Sequence, residues 1–334
     1  MHNGAATLRA CLQALLSAPG PTREFIVVDD GSRDESRHIA ESLGVRTLQL
    51  LVNLGDGDAR NIGVKYTTAP IVVFVDADVV IHRDALQRIS RFLSENPDYS
   101  AVFGSYNSSP NGSGLVNQYR NLLHHFTHQA GKCEAETFWT GLGAIRRSVF
   151  ESMGGFQTNR LPDVALGLDL FDAGYRIKLD KKLLGTHLKV WTFRTMVLTD
   201  VLLRALPWSE IILSRGRFTD DLNTSLINRL AVCSASFTIL FAIMSAFDYF
   251  FFTVAGLFFV LTLLANTHVF KQFWKERGMV FSIGVIPLHF VHQLCSGLGF
   301  VLGITRHYLN KKSLKNRAVD LSLSCPATHL KDEQ

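Results

Sequence analysis

The chain has 334 residues, 47% of them hydrophobic, with a formal charge of +5 and five cysteines. That length allows one large domain with an appendage, or two domains. Cys11, Cys133, Cys233, Cys295 and Cys325 stand singly, which excludes a disulfide framework or a paired-cysteine zinc site. The modest charge lies in short clusters beside apolar stretches, a pattern suited to an anionic membrane surface and not to nucleic acid. Met1-His2-Asn3-Gly4 has neither the basic nor the apolar region of a secretory leader, so none is expected.

In chain order, residues 5–17 predict an amphipathic helix, with Leu8, Cys11, Leu12, Leu15 and Leu16 on one face. Strands over 24–28, 45–51, 71–76, 101–106 and 138–145 then alternate with helices over 34–43, 57–68, 84–94 and 115–129. Asn96-Pro97 stops the fourth helix, and 108–113 is a polar Gly/Pro loop. Such alternation predicts an open, mostly parallel α/β sheet with helices on both faces.

Two predicted strands end in paired acids. The first runs Phe25-Ile-Val-Val into Asp29-Asp30-Gly31-Ser32, where carboxylates can accept from a base N–H or a ribose hydroxyl, or simply build an Asp-Gly turn capped by Ser32. The second runs Ile71-Val-Val-Phe-Val into Asp76-Ala77-Asp78. Ligands of open α/β sheets bind at this carboxyl edge, and two hard oxygen ligands there suit Mg²⁺ or Mn²⁺ on a diphosphate. Between them, Arg60 and Asn61 fall in the first turns of a helix, where Arg60 faces a nucleotide or pairs with a nearby carboxylate.

From Leu230 the composition turns apolar. Residues 230–247 and 249–265 carry no charge and are parted by Asp248 alone; 279–304 is a third uncharged run, containing Pro287, His289, His292 and Gln293. Two spans with a tight turn are expected, and the third run either spans or re-enters. Basic clusters at Lys271, Lys275, Arg277 and at Arg306, Lys311, Lys312, Lys315, Arg317 prefer the cytoplasmic side.

The acid-ended strands and the Ala59-Arg60-Asn61-Ile-Gly63 helix, in this order, resemble family 2 glycosyltransferases of the GT-A fold. So do Phe138-Trp139-Thr140-Gly141 through Gly154-Gly155-Phe156, the Asp163 helix with Ala173-Gly174-Tyr175, and His187-Leu-Lys189-Val-Trp191. The resemblance covers about residues 3–225 and is nearest to bacterial membrane-anchored members. Several ordered motifs are specific where one is not.

The resemblance implies a GT-A-like domain over 1–225, a membrane region over 226–305 with two to three apolar helices, and a basic then polar tail over 306–334. It implies that Asp29, Asp30, Arg60 and Asp76 hold a nucleotide-sugar, that Asp76, Asp78 and His187 meet a divalent metal (Mg²⁺ or Mn²⁺), and that Asp163 is the catalytic base. His187 is otherwise a solvated strand-end histidine. Trp139 and Gly141 lie on the acceptor side, with Phe138 and Trp139 as stacking surfaces for a sugar; Phe138 reads equally as core, whereas tryptophan is less often fully buried. The expected activity is inverting, metal-dependent transfer of one sugar to a lipid or lipid-linked acceptor, in a multi-pass cell-membrane protein with its catalytic domain on the cytoplasmic side. Departures from the family pattern also appear. The expected first strand is wanting, Pro162 replaces a Glu, Asp169 replaces an Arg, and Arg204-Ala-Leu-Pro207-Trp208 keeps half of the motif of processive synthases. Two alternatives follow: a catalytically silent membrane partner, or a metal-dependent nucleotidyltransferase.

Overall fold

A computed structural model describes residues 1–217 and 225–323. β1 (Ile26–Asp29) and β2 (Arg46–Gln49) pair parallel as a small sheet. β3 (Ile71–Val75), β4 (Val79–Ile81), β5 (Tyr99–Tyr106), β6 (Glu134–Ala135), β7 (Leu142–Arg146) and β8 (Arg176–His187) form a second sheet in the order β3-β7-β5-β8-β4, with β6 beside β8. β3, β5 and β8 run one way; β7, β4 and β6 run against them. The expected open α/β sheet is therefore present with mixed directions. β4 must reverse, because the three residues 76–78 that link it to β3 are too few for a crossover.

Seven helices contact these strands: α1 (Ala5–Ser17), α2 (Ser36–Ser42), α3 (Asp56–Lys65), α4 (Ala85–Glu95), α5 (Leu115–Ala130), α6 (Arg147–Ser152) and α7 (Pro162–Asp172). Period-two alternation splits the core into two layers. Ala101, Phe103 and Ile145 pack with Phe150, Leu166 and Leu170 of α6 and α7, whereas Val102, Leu142 and Ala144 pack with Leu86, Ile89 and Leu93 of α4. Every residue of β5 is buried, and each large apolar side chain so placed stabilises the sheet by about 1.5–3 kcal/mol.

The two sheets share no hydrogen-bonded edge. A cavity of about 1120 Å³ separates β1 from β3 and reaches Asp30, Arg60, Asp76 and Asp78. A sheet with a further inner strand, as the resemblance expects, would have no such gap. Met1 lies against β1 there: its amino group donates to Val28 O (2.6 Å) and its carbonyl accepts from Asp30 N (2.8 Å). The strand expected over 138–145 starts only at Leu142. Before it the chain folds over itself, with Trp139 O and the Phe138 ring lying where a Gly143 side chain would be.

Beyond β8 come α8 (Phe193–Leu198), a π-helical segment (Thr199–Ala205) and α9 (Leu206–Arg215). Arg215 of α9 pairs with Asp169 of α7. The apolar region follows as α10 (Leu226–Met244), α11 (Phe250–Ala265), α12 (Thr267–Arg277), α13 (Met279–Gly284) and α14 (Ile286–Leu323). Residues 226–244 and 279–309 are long and apolar enough to cross a membrane, and α11 with α12, bent by 58°, makes up to three. The tight turn at Asp248 is present. The break between α13 and α14 precedes Pro287, which has no N–H to continue the ladder. The expected polar tail over 324–334 lies outside the described residues.

Candidate active site

The Asp29 and Asp30 carboxylates are buried and turned toward backbone. Asp29 Oδ1 accepts from Ser32 N (3.0 Å), and Asp30 accepts from Leu54 N (2.7 Å) and Gly55 N (3.0 Å). They thereby pin the Gly31 turn and the loop that leads into α3. Asp30 also lines the large cavity.

Arg60, on the first turns of α3, bridges Asp56 Oδ2 (2.7 Å) and Asp76 Oδ1 (2.8 Å). Burial opposes its charge, but Asp76, Asp56 and Asp163 outweigh it and hold the guanidinium above its ordinary pKa. Asp76, Arg60, Thr140 and Asp163 line a second hollow of about 510 Å³, whose far wall is Leu202, Leu203 and Leu206. Asp163 opens α7 behind Pro162, which is favoured at a first helical position. Its Oδ2 accepts only long bonds from Thr140, 3.3 Å from N and 3.4 Å from Oγ1. Burial raises its pKa, Arg60 opposes, and Asp76 adds to the rise.

At the end of β8, His187 Nε2 lies 3.3 Å from Asp78 Oδ2, and its Nδ1 lies 2.7 Å from Asn121 Oδ1. The ring stacks on Tyr106, with centroids 4.3 Å apart and planes 8° from parallel. Burial works to raise the Asp78 pKa, but the hydrogen bond and charge of His187, then Lys189, lower it. Leu188 N donates to Asp78 O (2.7 Å), lacing the strand end to this loop.

Trp139 is half-buried against Tyr106, His128 and His124. Gly141 is fixed by that indole: a Cβ at 141 would sit 2.1 Å from Trp139 Cζ2. Gly141 O also accepts from Asp76 N (3.2 Å). Phe138 is core, 1% exposed.

The fold thus brings together Asp76, Arg60 and Asp163 in one hollow and Asp78 with His187 beside it; Asp29 and Asp30 serve the loops behind. Donor chemistry suits a hard divalent cation at Asp78 and His187. Ligands at right angles around an octahedral ion about 2.1 Å away are about 3 Å apart, near the observed 3.3 Å. Asp76 differs from the expectation, since one of its oxygens is committed to Arg60. Among the described residues no three His, Cys, Asp or Glu side chains converge as a metal cage.

Asn117, Asn121, His124 and His128 escaped the motif search. Their spacing of four, three and four is a polar stripe down one face of α5, a signal available in the sequence. Burial holds His128 near a pKa of about 3 and His124 well below its usual value, so both are neutral neighbours of Trp139. Arg204 on the π-helical segment also went unassigned; burial, then the neighbouring Arg120, lower its pKa to about 10.

Residues 1–154 match the family model described as glycosyl transferase family 2. A poly-beta-1,6-N-acetyl-D-glucosamine synthase of Staphylococcus epidermidis is 27% identical over 195 residues, 55% of this chain and 47% of that protein. Glycosyltransferase AglE of Haloferax volcanii is 27% identical over 198 residues, 56% of this chain and 64% of its own length. The matched part of the chain therefore spans about half to two-thirds of these relatives. A solved mannosyltransferase from Pyrobaculum calidifontis, in complex with GDP-Man and Mn²⁺, shares the fold with a TM-score of 0.54 and 17% identity, over 93% of this chain and 86% of that one.

Proposed function

We propose that this chain, whose residues 1–154 match the glycosyl transferase family 2 model, moves one sugar from a nucleotide-sugar to a lipid or lipid-linked acceptor, with inversion and with a divalent metal. The carrying observation is that Asp163, the desolvated carboxylate, shares a hollow with Arg60 and Asp76 on one wall and Leu202, Leu203 and Leu206 on the other. The Mn²⁺ and GDP-Man in the name of the solved mannosyltransferase support the metal and donor class by analogy.

In this reading residues 1–225 are the catalytic domain and 226–305 the anchor. Asp163 takes the proton of the acceptor hydroxyl. A carboxylate with a raised pKa is a better base, and its loose bonds from Thr140 leave Oδ2 free to accept. Asp30 and Arg60 shape the donor pocket, and Arg60 adds fixed positive charge beside it. A divalent cation, when bound between Asp78 and His187, would supply charge that stabilises the departing diphosphate. The hollow holds donor and acceptor in line and excludes water. Its apolar wall adjoins Leu202 and Leu203, exposed on the π-helical segment, and exposed Ile243, Phe247, Phe250, Phe252 and Val301 cover the apolar helices. Such a surface suits a bilayer, and basic residues beside it favour the cytoplasmic side.

The test uses the full chain in detergent with Mn²⁺, a panel of nucleotide-sugars and an extract of polyprenyl-linked lipids. Release of nucleoside diphosphate that requires both the lipid and Asp163 is expected. Donor binding without release under all conditions would favour the silent-partner alternative and overturn the enzyme reading.

A further inference from the structure

The buried face of α5 fixes the protonation pattern of His187. Asn117 comes first: its Oδ1 accepts from Trp191 N (2.9 Å), and its Nδ2 donates to Asn111 O (2.5 Å). That orientation leaves one choice for Asn121. Its Nδ2 faces three acceptors, Asn117 Oδ1 (3.1 Å), Asn117 O (3.2 Å) and Lys189 O (3.4 Å). Its Oδ1 must therefore be the atom 2.7 Å from His187 Nδ1, and an amide oxygen only accepts. Nδ1 carries the hydrogen, which leaves Nε2 as the nitrogen that faces Asp78, donating to it while protonated and offering a lone pair once that proton is gone. Nε2 lies 3.3 Å from the Asp78 carboxylate. A proton or a metal cation between the two satisfies both. Asn117 and Asn121 are only 2% and 3% exposed, so water does not compete for the relay.

We propose that Asn121 is a positioning residue: it locks His187 as the Nδ1–H tautomer, so that Nε2 and Asp78 form a preset two-point seat for a divalent cation. The proposal rests on the reading of Asp78 and His187 as metal ligands given above. Partners behind a ligand histidine generally set its tautomer and orientation, and their loss costs about 10–100-fold in metal affinity. Tyr106, stacked on the ring, holds its plane but cannot choose its tautomer. Asn121 can, because its own orientation is dictated in turn through Asn117 and Trp191.

The test takes the metal-free full chain with ¹⁵N-labelled histidine, assigns His187 by the signal lost in His187→Gln, and titrates Mn²⁺ by electron paramagnetic resonance. Wild type is expected to keep Nδ1 protonated, with Nε2 the nitrogen that gives up its proton. Asn121→Leu should scramble that tautomer and weaken Mn²⁺ binding about 10–100-fold. Asn121→Asp keeps an acceptor for Nδ1–H but sets its second oxygen against the Asn117 and Lys189 carbonyls. It should therefore lose thermal stability while keeping the tautomer and Mn²⁺ affinity within about threefold of wild type. A purely structural role predicts that affinity follows stability in both variants, and that result overturns the proposal. Unchanged tautomer and affinity in Asn121→Leu overturns it as well. If wild type binds no Mn²⁺, or His187→Gln binds it equally well, the metal-ligand reading fails first and the tautomer measurement shows whether the relay stands without it.

Discussion

The cleft and the joint between the sheet domain and the apolar helices are both lined by buried polar side chains, yet they satisfy them differently. In the joint all but one of the named groups are matched. Tyr119 Oη donates to His289 Nδ1 (2.9 Å), and His289 Nε2 donates to Asn266 Oδ1 (2.8 Å). Arg120 and His292 flank Asp200 at 2.6 and 2.7 Å, leaving Arg120 Nε as an atom without a partner. In the cleft, Asp163 Oδ2 accepts only long bonds and His187 Nε2 stands 3.3 Å from the Asp78 carboxylate. Saturated buried networks hold structure; spare bonding capacity in a hollow is what a substrate or ion can use. The difference also explains why His289, His292 and Gln293 sit in an otherwise apolar run. His289 and His292 bond to Tyr119 of α5 and Asp200 of the π-helical segment, and Gln293 to Asn266 just before α12.

The comparison breaks if the two clusters respond alike to mutation. The largest effect is expected for Asp163→Asn: kcat for nucleoside diphosphate release should fall roughly 10³-fold, with thermal stability kept or raised because a desolvated charge is gone. Sign matters for pH. A base whose pKa is raised by burial must lose its proton to act, so kcat/KM should climb with pH through a limb above the ordinary carboxylate range and then level. That limb should vanish in the residual activity of Asp163→Asn. The same shift means that the folded state binds this proton more tightly than the unfolded chain. Asp163 therefore contributes to stability losses as pH rises from the ordinary carboxylate value through the raised one.

Arg120→Leu should do the reverse. Removing one partner of a buried ion pair costs about 3 kcal/mol or more, read by chemical denaturation, while Mn²⁺ affinity holds within twofold. Loss of metal binding without loss of stability would show that joint and cleft are one unit. Smaller still, Gly141→Ala puts a methyl against the Trp139 indole. An overpacking cost of about 1–3 kcal/mol should come with a shift in tryptophan fluorescence.

Much of the fold was legible along the chain. The β-branched octet 71–78 and the runs into Asp29 and Asp76 set strand, turn and acid in the right places, because burial pattern and turn chemistry are local. The Phe138 side of the next strand was not. Its start is delayed by a contact between Trp139 and Gly143 that only the folded chain makes. Pairing Asp76 with Arg60, sixteen residues back, was one of two readings open for that arginine. The α5 stripe was present in the spacing of 117, 121, 124 and 128, but buried polar residues at helical period look like a solvated face until the packing is known.

By itself the sequence determined the alternation of strands and helices, the acids at strand ends and the apolar character of residues 230–304, since each follows from side-chain periodicity and composition. Tertiary structure decided which carboxylate is free and which is paired, and that His187 meets Asp78 while leaning on Asn121. It also decided that the histidines of α14 dock on the sheet domain. These depend on distances between residues far apart in the chain, and on the burial that makes a satisfied polar group stable and an unsatisfied one reactive.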